Sequence, residues 1–252
     1  MTWNDLAKYY VNLEERTDRR AHMEAMLKSR GIEAERVSAF HWKDVDYENP
    51  LYRKMYERTP GAIGCYLSQV YCMRKAQDAG KSVLIMEDDL QFTEDFVSTR
   101  VPIIEKFCNG NTWDVMFLGG TVHYPVPQWH TKGHTNPELP PSMCNCNLDK
   151  DAEPTGTEHI FKAFGAWSTY CYIVNYQSIE KILRLFNDHI QTSIGIDWLY
   201  IKLSPQLNNF IFLPGSCKQI DGQSNIGNGI TRFSAFSMLG KHWYSENIND
   251  FK

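Results

Sequence analysis

The chain has 252 residues, 42% of them hydrophobic and 22% charged, which fits a folded globular protein and excludes collagen-like, coiled-coil and wholly disordered chains. Its 26 basic and 30 acidic residues leave a net charge of −4, so it has no overall basic field for nucleic acid or an anionic membrane. No run approaches the roughly 18 apolar residues needed to cross a bilayer, and the N-terminus lacks the apolar core of a signal peptide. The expectation is a cytoplasmic protein with no transmembrane segment, peripheral membrane contact remaining open. The seven cysteines are odd in number, scattered and without a CxxC pair. Free thiols are expected, and Cys144 with Cys146 is two ligands short of a structural zinc site.

Lys8–Leu13 reads as a buried strand. Thr17 and Asp18 are positioned to cap the helix that follows, and Gly31 closes it. Glu35–Phe40 supplies a second strand, so the chain opens as a βαβ unit. Residues 41–59 are polar and aromatic without a period and read as a loop. Pro60 suits a first helical position, Ile63, Leu67, Val70 and Tyr71 follow at helical spacing, and Gly80 ends the segment. Ser82–Met86 is the clearest buried strand and runs straight into Glu87-Asp88-Asp89. A helix over about 94–107 leads to the strand Trp113–Leu118, closed by Gly119-Gly120.

This alternation predicts an α/β fold, a mostly parallel central sheet with helices on both faces, in one domain over residues 1–252. The rhythm stops over 121–162, which holds six prolines, four histidines and two cysteines and reads as a long functional lid or binding loop. Beyond it come a strand over Thr169–Val174, an amphipathic helix through Ile179, Ile182, Leu183 and Phe186, a short helix opened by Ile194–Leu199, and a strand over Phe210–Leu213.

The acidic triplet carries the strongest chemical signal. Ligands of open α/β sheets bind beyond the carboxyl ends of strands. Three adjacent acids repel one another, so a divalent metal carrying phosphate oxygens is a natural partner. The alternative is an acidic turn opening a helix, whose dipole favours negative charge. Asp44-Val45-Asp46 has the form of a DxD motif, but no apolar strand delivers it to a sheet edge, and solvated surface is expected. Arg16, Arg19 and Arg20 follow the first strand and are placed to meet a nucleotide or simply to begin a solvated helix. Asp197 is either a helix-capping carboxylate or a base in an apolar setting. His123, His130, His134 and His159 match no metal template, and Gly227-Asn228-Gly229 reads as a loop. GxSxG, GxxxxGK[ST], HExxH and strand-linked GxGxxG motifs are missing, which removes support for serine hydrolases, P-loop kinases, zincins and dinucleotide oxidoreductases.

The ordered set of motifs resembles glycosyltransferase family 25, which includes lipooligosaccharide and collagen galactosyltransferases. The set comprises Tyr10-Val11-Asn12-Leu13 with Arg16, Arg19 and Arg20; Arg36-Val37-Ser38-Ala39; Gly61-Ala62-Ile63-Gly64-Cys65-Tyr66-Leu67-Ser68; Leu84 through Asp89 with Phe92; Trp113-Asp114-Val115; Tyr172-Ile173-Val174; Ile196-Asp197-Trp198; and Gln223-Ser224-Asn225-Ile226. Gln69, His41-Trp42-Lys43 and Asn225 depart from residues common in the family. The resemblance implies a GT-A-like nucleotide-sugar fold, a UDP-sugar donor (galactose first), a divalent cation, usually manganese, and inversion at the anomeric carbon. It implies that Asp89 binds the metal and that Glu87 or Asp88 reaches the ribose or the metal's water shell. It sets Asn12, Arg16, Gln223 and Ser224 on the nucleotide side and makes Asp197 the base for an acceptor hydroxyl of a glycan or a glycosylated protein or lipid. Tyr124 and Trp129 would stack on that acceptor. The competing readings are a silent nucleotide-sugar-binding module and a metal-dependent phosphohydrolase.

Overall fold

The computed structural model describes residues 1–46, 48–122, 153–163, 166–167, 169–213, 215–220, 222–223, 226 and 230–231. The opening unit is β1 (Ala7–Asn12), α1 (Thr17–Ser29) and β2 (Glu35–Ser38), followed by α2 (Arg53–Arg58), α3 (Pro60–Asp78), β3 (Val83–Glu87) and β4 (Leu90–Phe92). Then come α4 (Val101–Gly110), β5 (Val115–Phe117), β6 (Thr121–Val122), β7 (Glu153–Pro154), β8 (Ile160–Lys162) and β9 (Ala166–Trp167). The last described elements are β10 (Cys171–Val174), α5 (Tyr176–His189), α6 (Ile196–Leu203), β11 (Asn209–Phe212), β12 (Cys217–Gln219), β13 (Gly222–Gln223) and β14 (Ile230–Thr231).

Among the described residues the main sheet has eight strands in the order β2-β1-β3-β10-β5-β11-β8-β7. The pairings run β2, β1, β3, β5, β11 and β7 one way and β10 and β8 the other, so the sheet is mixed but mostly parallel in direction. Alternation along β3 explains why both faces are covered. Val83 and Ile85 join a cluster with Ile63 and Met73 of α3, Ile179 of α5 and Leu199 of α6. Leu84 and Met86 point the other way, to Met23 and Leu27 of α1 and Ile104 and Phe107 of α4. A strand buried on both faces is apolar at every position, which is why the run stands out in the sequence.

Several local expectations change. Thr17 is the first helical residue of α1, not its cap, and Asp18 instead grips Arg16 through two bonds of 2.9 and 2.8 Å. Residues 41–59 contain a 3-10 turn at Trp42–Asp44 and the helix α2, anchored by the fully buried Met55. Six residues are too few for a helical period to register. The segment expected as one helix over 94–107 splits into a wide π-type turn at Phe96–Arg100 and α4. Most important for the site, Glu87-Asp88-Asp89 does not open a helix. Asp88 and Asp89 form a turn between β3 and β4, and β4 pairs antiparallel with β12.

Candidate active site

The carboxyl ends of β1 and β3 lie side by side, with Val11 paired to Glu87. Here α1, α3, α6 and the 39–42 segment enclose a cleft of about 330 Å³. Glu87, Asp88, Asp89 and Asp197 line it, as do Arg19, Cys65, Gln69, Thr169 and Gln219. Phe40, His41 and Trp42 form an aromatic margin, with the His41 and Trp42 rings stacked at 5.8 Å. Gly64 lets α3 approach that margin, because a Cβ there would sit 2.3 Å from the Phe40 carbonyl oxygen.

The acidic triplet divides in two. Asp88 and Asp89 turn toward α1, where Arg19 Nη1 lies 2.7 Å from Asp88 Oδ1 and 3.1 Å from Asp89 Oδ2. Asn12 Nδ2 donates to Asp88 Oδ2 at 2.8 Å, and Gln219 Nε2 donates to Asp89 Oδ1 at 3.2 Å. Asn12 is itself buried and accepts from Arg36 Nε at 2.9 Å, so it holds Asp88 in place from beneath. Burial raises the Asp89 pKa, and Arg19 opposes that rise. Part of the positive charge that these adjacent acids need thus comes from a guanidinium of the chain itself.

Glu87 faces the other way, toward α3. Its Oε1 accepts from Gln69 Nε2 at 3.1 Å and from Cys65 Sγ at 3.4 Å. Tyr172 donates to Gln69 Oε1 at 2.5 Å, which fixes the amide so that its nitrogen points at Glu87. Burial pushes the Glu87 pKa well up, and the charges of Asp89 and Asp197 add to that push. Asp197, in the first turn of α6, accepts from Thr169 Oγ1 at 2.7 Å.

The sequence-derived candidates therefore separate. Glu87, Asp88, Asp89 and Asp197 converge on one cleft, with Asn12 supporting it. Arg16 is not among the described lining residues, and its guanidinium grips Asp18, whose pKa it depresses. Arg20 pairs with Glu24 at 2.9 Å on the exposed side of α1. Asp44 and Asp46 are exposed, as expected of solvated surface. His159 bonds the Leu213 carbonyl at 3.1 Å and stacks on Phe212, a packing role. Gln223 lies in β13 by its backbone, while Ser224, Asn225, Tyr124, Trp129, His123, His130, His134, Cys144, Cys146 and 227–229 fall outside the described residues. Sequence reasoning did not single out Gln219 or Thr169, whose spacing from the acids carries no local signal. Cys65, Cys72, Cys108, Cys171 and Cys217 are free thiols. Among the described residues no helix is long and apolar enough to cross a membrane.

A family model described as "Glycosyltransferase family 25 (LPS biosynthesis protein)" matches residues 6–199. That match sets the protein among the glycosyltransferases. More narrowly, the chain belongs to glycosyltransferase family 25. A Drosophila melanogaster "Glycosyltransferase 25 family member" is 32% identical over 129 residues, covering 44% of this chain and 20% of that protein. Mouse "Procollagen galactosyltransferase 2" is 27% identical over 125 residues, with the same 44% and 20% coverage. The match thus spans about a fifth of each relative's length. A solved glycosyltransferase involved in the glycosylation of the major capsid of PBCV-1 aligns with 82% of this chain and 80% of its own, at TM-score 0.38 and 8% identity.

Proposed function

We propose that the protein transfers a sugar, galactose first, from a UDP-sugar to a hydroxyl of a glycan or glycosylated acceptor, in a single inverting displacement. The observation that carries this reading is the convergence of Asp88–Asp89 and Asp197 on one cleft at the carboxyl edge of β1 and β3. An acidic turn with a guanidinium suits a diphosphate and its counter-ion, and a separate carboxylate suits a proton acceptor.

The carboxylates suit a hard divalent cation, and manganese is the first candidate because the family resemblance implies it. Four carboxyl groups of the cleft (Glu87, Asp88, Asp89 and Asp197) face one guanidinium (Arg19) among the described residues, burial raises the pKa of Glu87 and Asp89, and a nucleoside diphosphate would add further negative charge. Among the described residues no three His, Cys, Asp or Glu side chains form a ready-made cage. Asp89 would hold such an ion, with Asp88 or Glu87 reaching its water shell or the ribose, and donor phosphates would supply further oxygen ligands. When bound, it supplies neutralisation of the departing diphosphate.

The chain's own groups account for the remaining steps. Thr169 orients the Asp197 carboxylate, which takes the proton of the acceptor hydroxyl as that oxygen bonds to the anomeric carbon. The bond from that carbon to the diphosphate breaks, and its electron pair leaves with UDP. The α3 side of the cleft, with Gln69 holding Glu87, lies beside Asp197 and suits the hydroxyls of the transferred sugar. A panel of UDP-sugars, with and without manganese, is the test. Slow metal-dependent release of UDP from one sugar supports the reading, and no UDP-sugar binding or turnover across the panel would sink it.

A further inference from the structure

We propose that Arg19 is a built-in counter-cation that withholds Asp88 and Asp89 from a metal ion until a nucleoside diphosphate arrives, so that cation and nucleotide enter the cleft as a coupled pair. This rests on the reading of the cleft as a metal- and UDP-sugar-dependent donor site. One nitrogen of Arg19 spans both carboxylates, at 2.7 and 3.1 Å, and Asn12 and Gln219 take the remaining oxygens at 2.8 and 3.2 Å. Every carboxylate oxygen of the pair already has a partner in the protein. The three charged side chains are nearly buried, 12% exposed for Arg19, 11% for Asp88 and 8% for Asp89, so water screens their attraction little.

A guanidinium does not give up its proton in a protein, so a metal ion approaching Asp89 alone meets a fixed positive charge. A nucleoside diphosphate approaching alone meets the two aspartates. Together the ligands remove both obstacles. Arg19 exchanges carboxylate oxygens for phosphate oxygens, which accept from its fork equally well, and Asp89 exchanges the guanidinium for the cation. Arg19 sits on the first turn of α1, and only its side chain has to turn. Coupling of this kind is reciprocal: UDP raises metal affinity by the factor by which metal raises UDP affinity.

The test is manganese binding, followed by electron paramagnetic resonance and calorimetry on the full chain, with and without UDP, for wild type, Arg19→Gln and Arg19→Lys. Wild type should bind manganese weakly alone and about tenfold or more tightly with UDP, within the usual range of coupling between sites. Arg19→Gln should bind manganese without UDP about tenfold more tightly than wild type, and UDP should raise that affinity by a smaller factor than in wild type, because only ligation by the phosphates then remains. Arg19→Lys keeps a positive charge but not the fork, so it should fall between them, and it carries the test if the Gln variant does not fold. Manganese affinity without UDP within twofold of wild type in both variants overturns the proposal and leaves the donor-site reading standing, whereas equal wild-type affinity with and without UDP overturns the proposal and the shared ligation of the ion by donor phosphates together. No manganese binding by wild type even with UDP sinks the metal reading itself, and the proposal with it.

Discussion

The hydroxyl of Thr169, just before β10, donates to Asp197 Oδ1 in the first turn of α6 at 2.7 Å, tying the carboxylate to the sheet edge. Asp197→Asn should lower transfer by about 10²- to 10⁴-fold, the range for a positioned base. UDP-sugar and metal affinity should be retained, because the change lies away from the Arg19 clamp. Thr169→Val should have a smaller effect that falls on kcat more than on KM. Near wild-type transfer by a folded Asp197→Asn enzyme would leave Asp197 as a helix-terminus residue only.

Gln69 couples Tyr172 to Glu87 through bonds of 2.5 and 3.1 Å inside the protein. Gln69→Leu removes both partners' hydrogen bonds at once and should destabilise the fold by about 1–3 kcal/mol. Urea unfolding measures this directly. No change in the midpoint would mean that water replaces the amide.

Asp44 and Asp46 are exposed. Replacing both with Asn should leave metal-dependent turnover within several-fold of wild type. Loss of activity in a folded double variant would move the metal site to that segment.

Gly64→Ala puts a methyl group 2.3 Å from the Phe40 carbonyl oxygen, a backbone atom with little freedom to yield. The helical preference for Ala, up to about 1 kcal/mol, is outweighed by overpacking of about 1–3 kcal/mol. A lower melting temperature is expected. Gly110→Ala, with nothing within 4 Å of the new atom, is the control and should be neutral or stabilising.

Asp114 is buried, which pushes its pKa up. Hydrogen bonds from Ser178 at 2.5 Å and Lys181 at 2.9 Å, with the Asn208 amide at 2.7 Å, more than reverse that push and leave it below the usual 3.8. A carboxylate depressed on folding stabilises the protein in full above its unfolded pKa, and that stability is lost as pH falls through the lower folded value. Asp114→Asn should therefore cost about 1.5–3 kcal/mol at pH 7, as for hydrogen bonds to a charged group. The gap from wild type should close on acidification below pH 3.8, the ordinary aspartate value. A gap constant from pH 7 to the acid limit would count against this account.

By itself the sequence determined the elements with a strong period or a doubly buried face. The run Val83–Met86 is legible because apolar residues at every position have few other uses, and Pro60 and Gly80 bracket α3 through backbone preference alone. The ordered motifs likewise led to the family, and the strand before Glu87 separated that site from Asp44-Val45-Asp46. Only the tertiary structure decided how the acids are used. Arg19 and Asp88 are 69 residues apart, Gln219 and Asp89 are 130 apart, and Cys65 and Glu87 are 22 apart. No local pattern encodes such distances, because they follow from strand order. That β1 lies beside β3, and that β12 returns to β4, are outcomes of packing two apolar faces. The division of one acidic triplet between Arg19 and Gln69 has the same origin: successive side chains at the end of a strand and in the turn after it point in different directions, and what each one meets is set by the helix that the fold brings there.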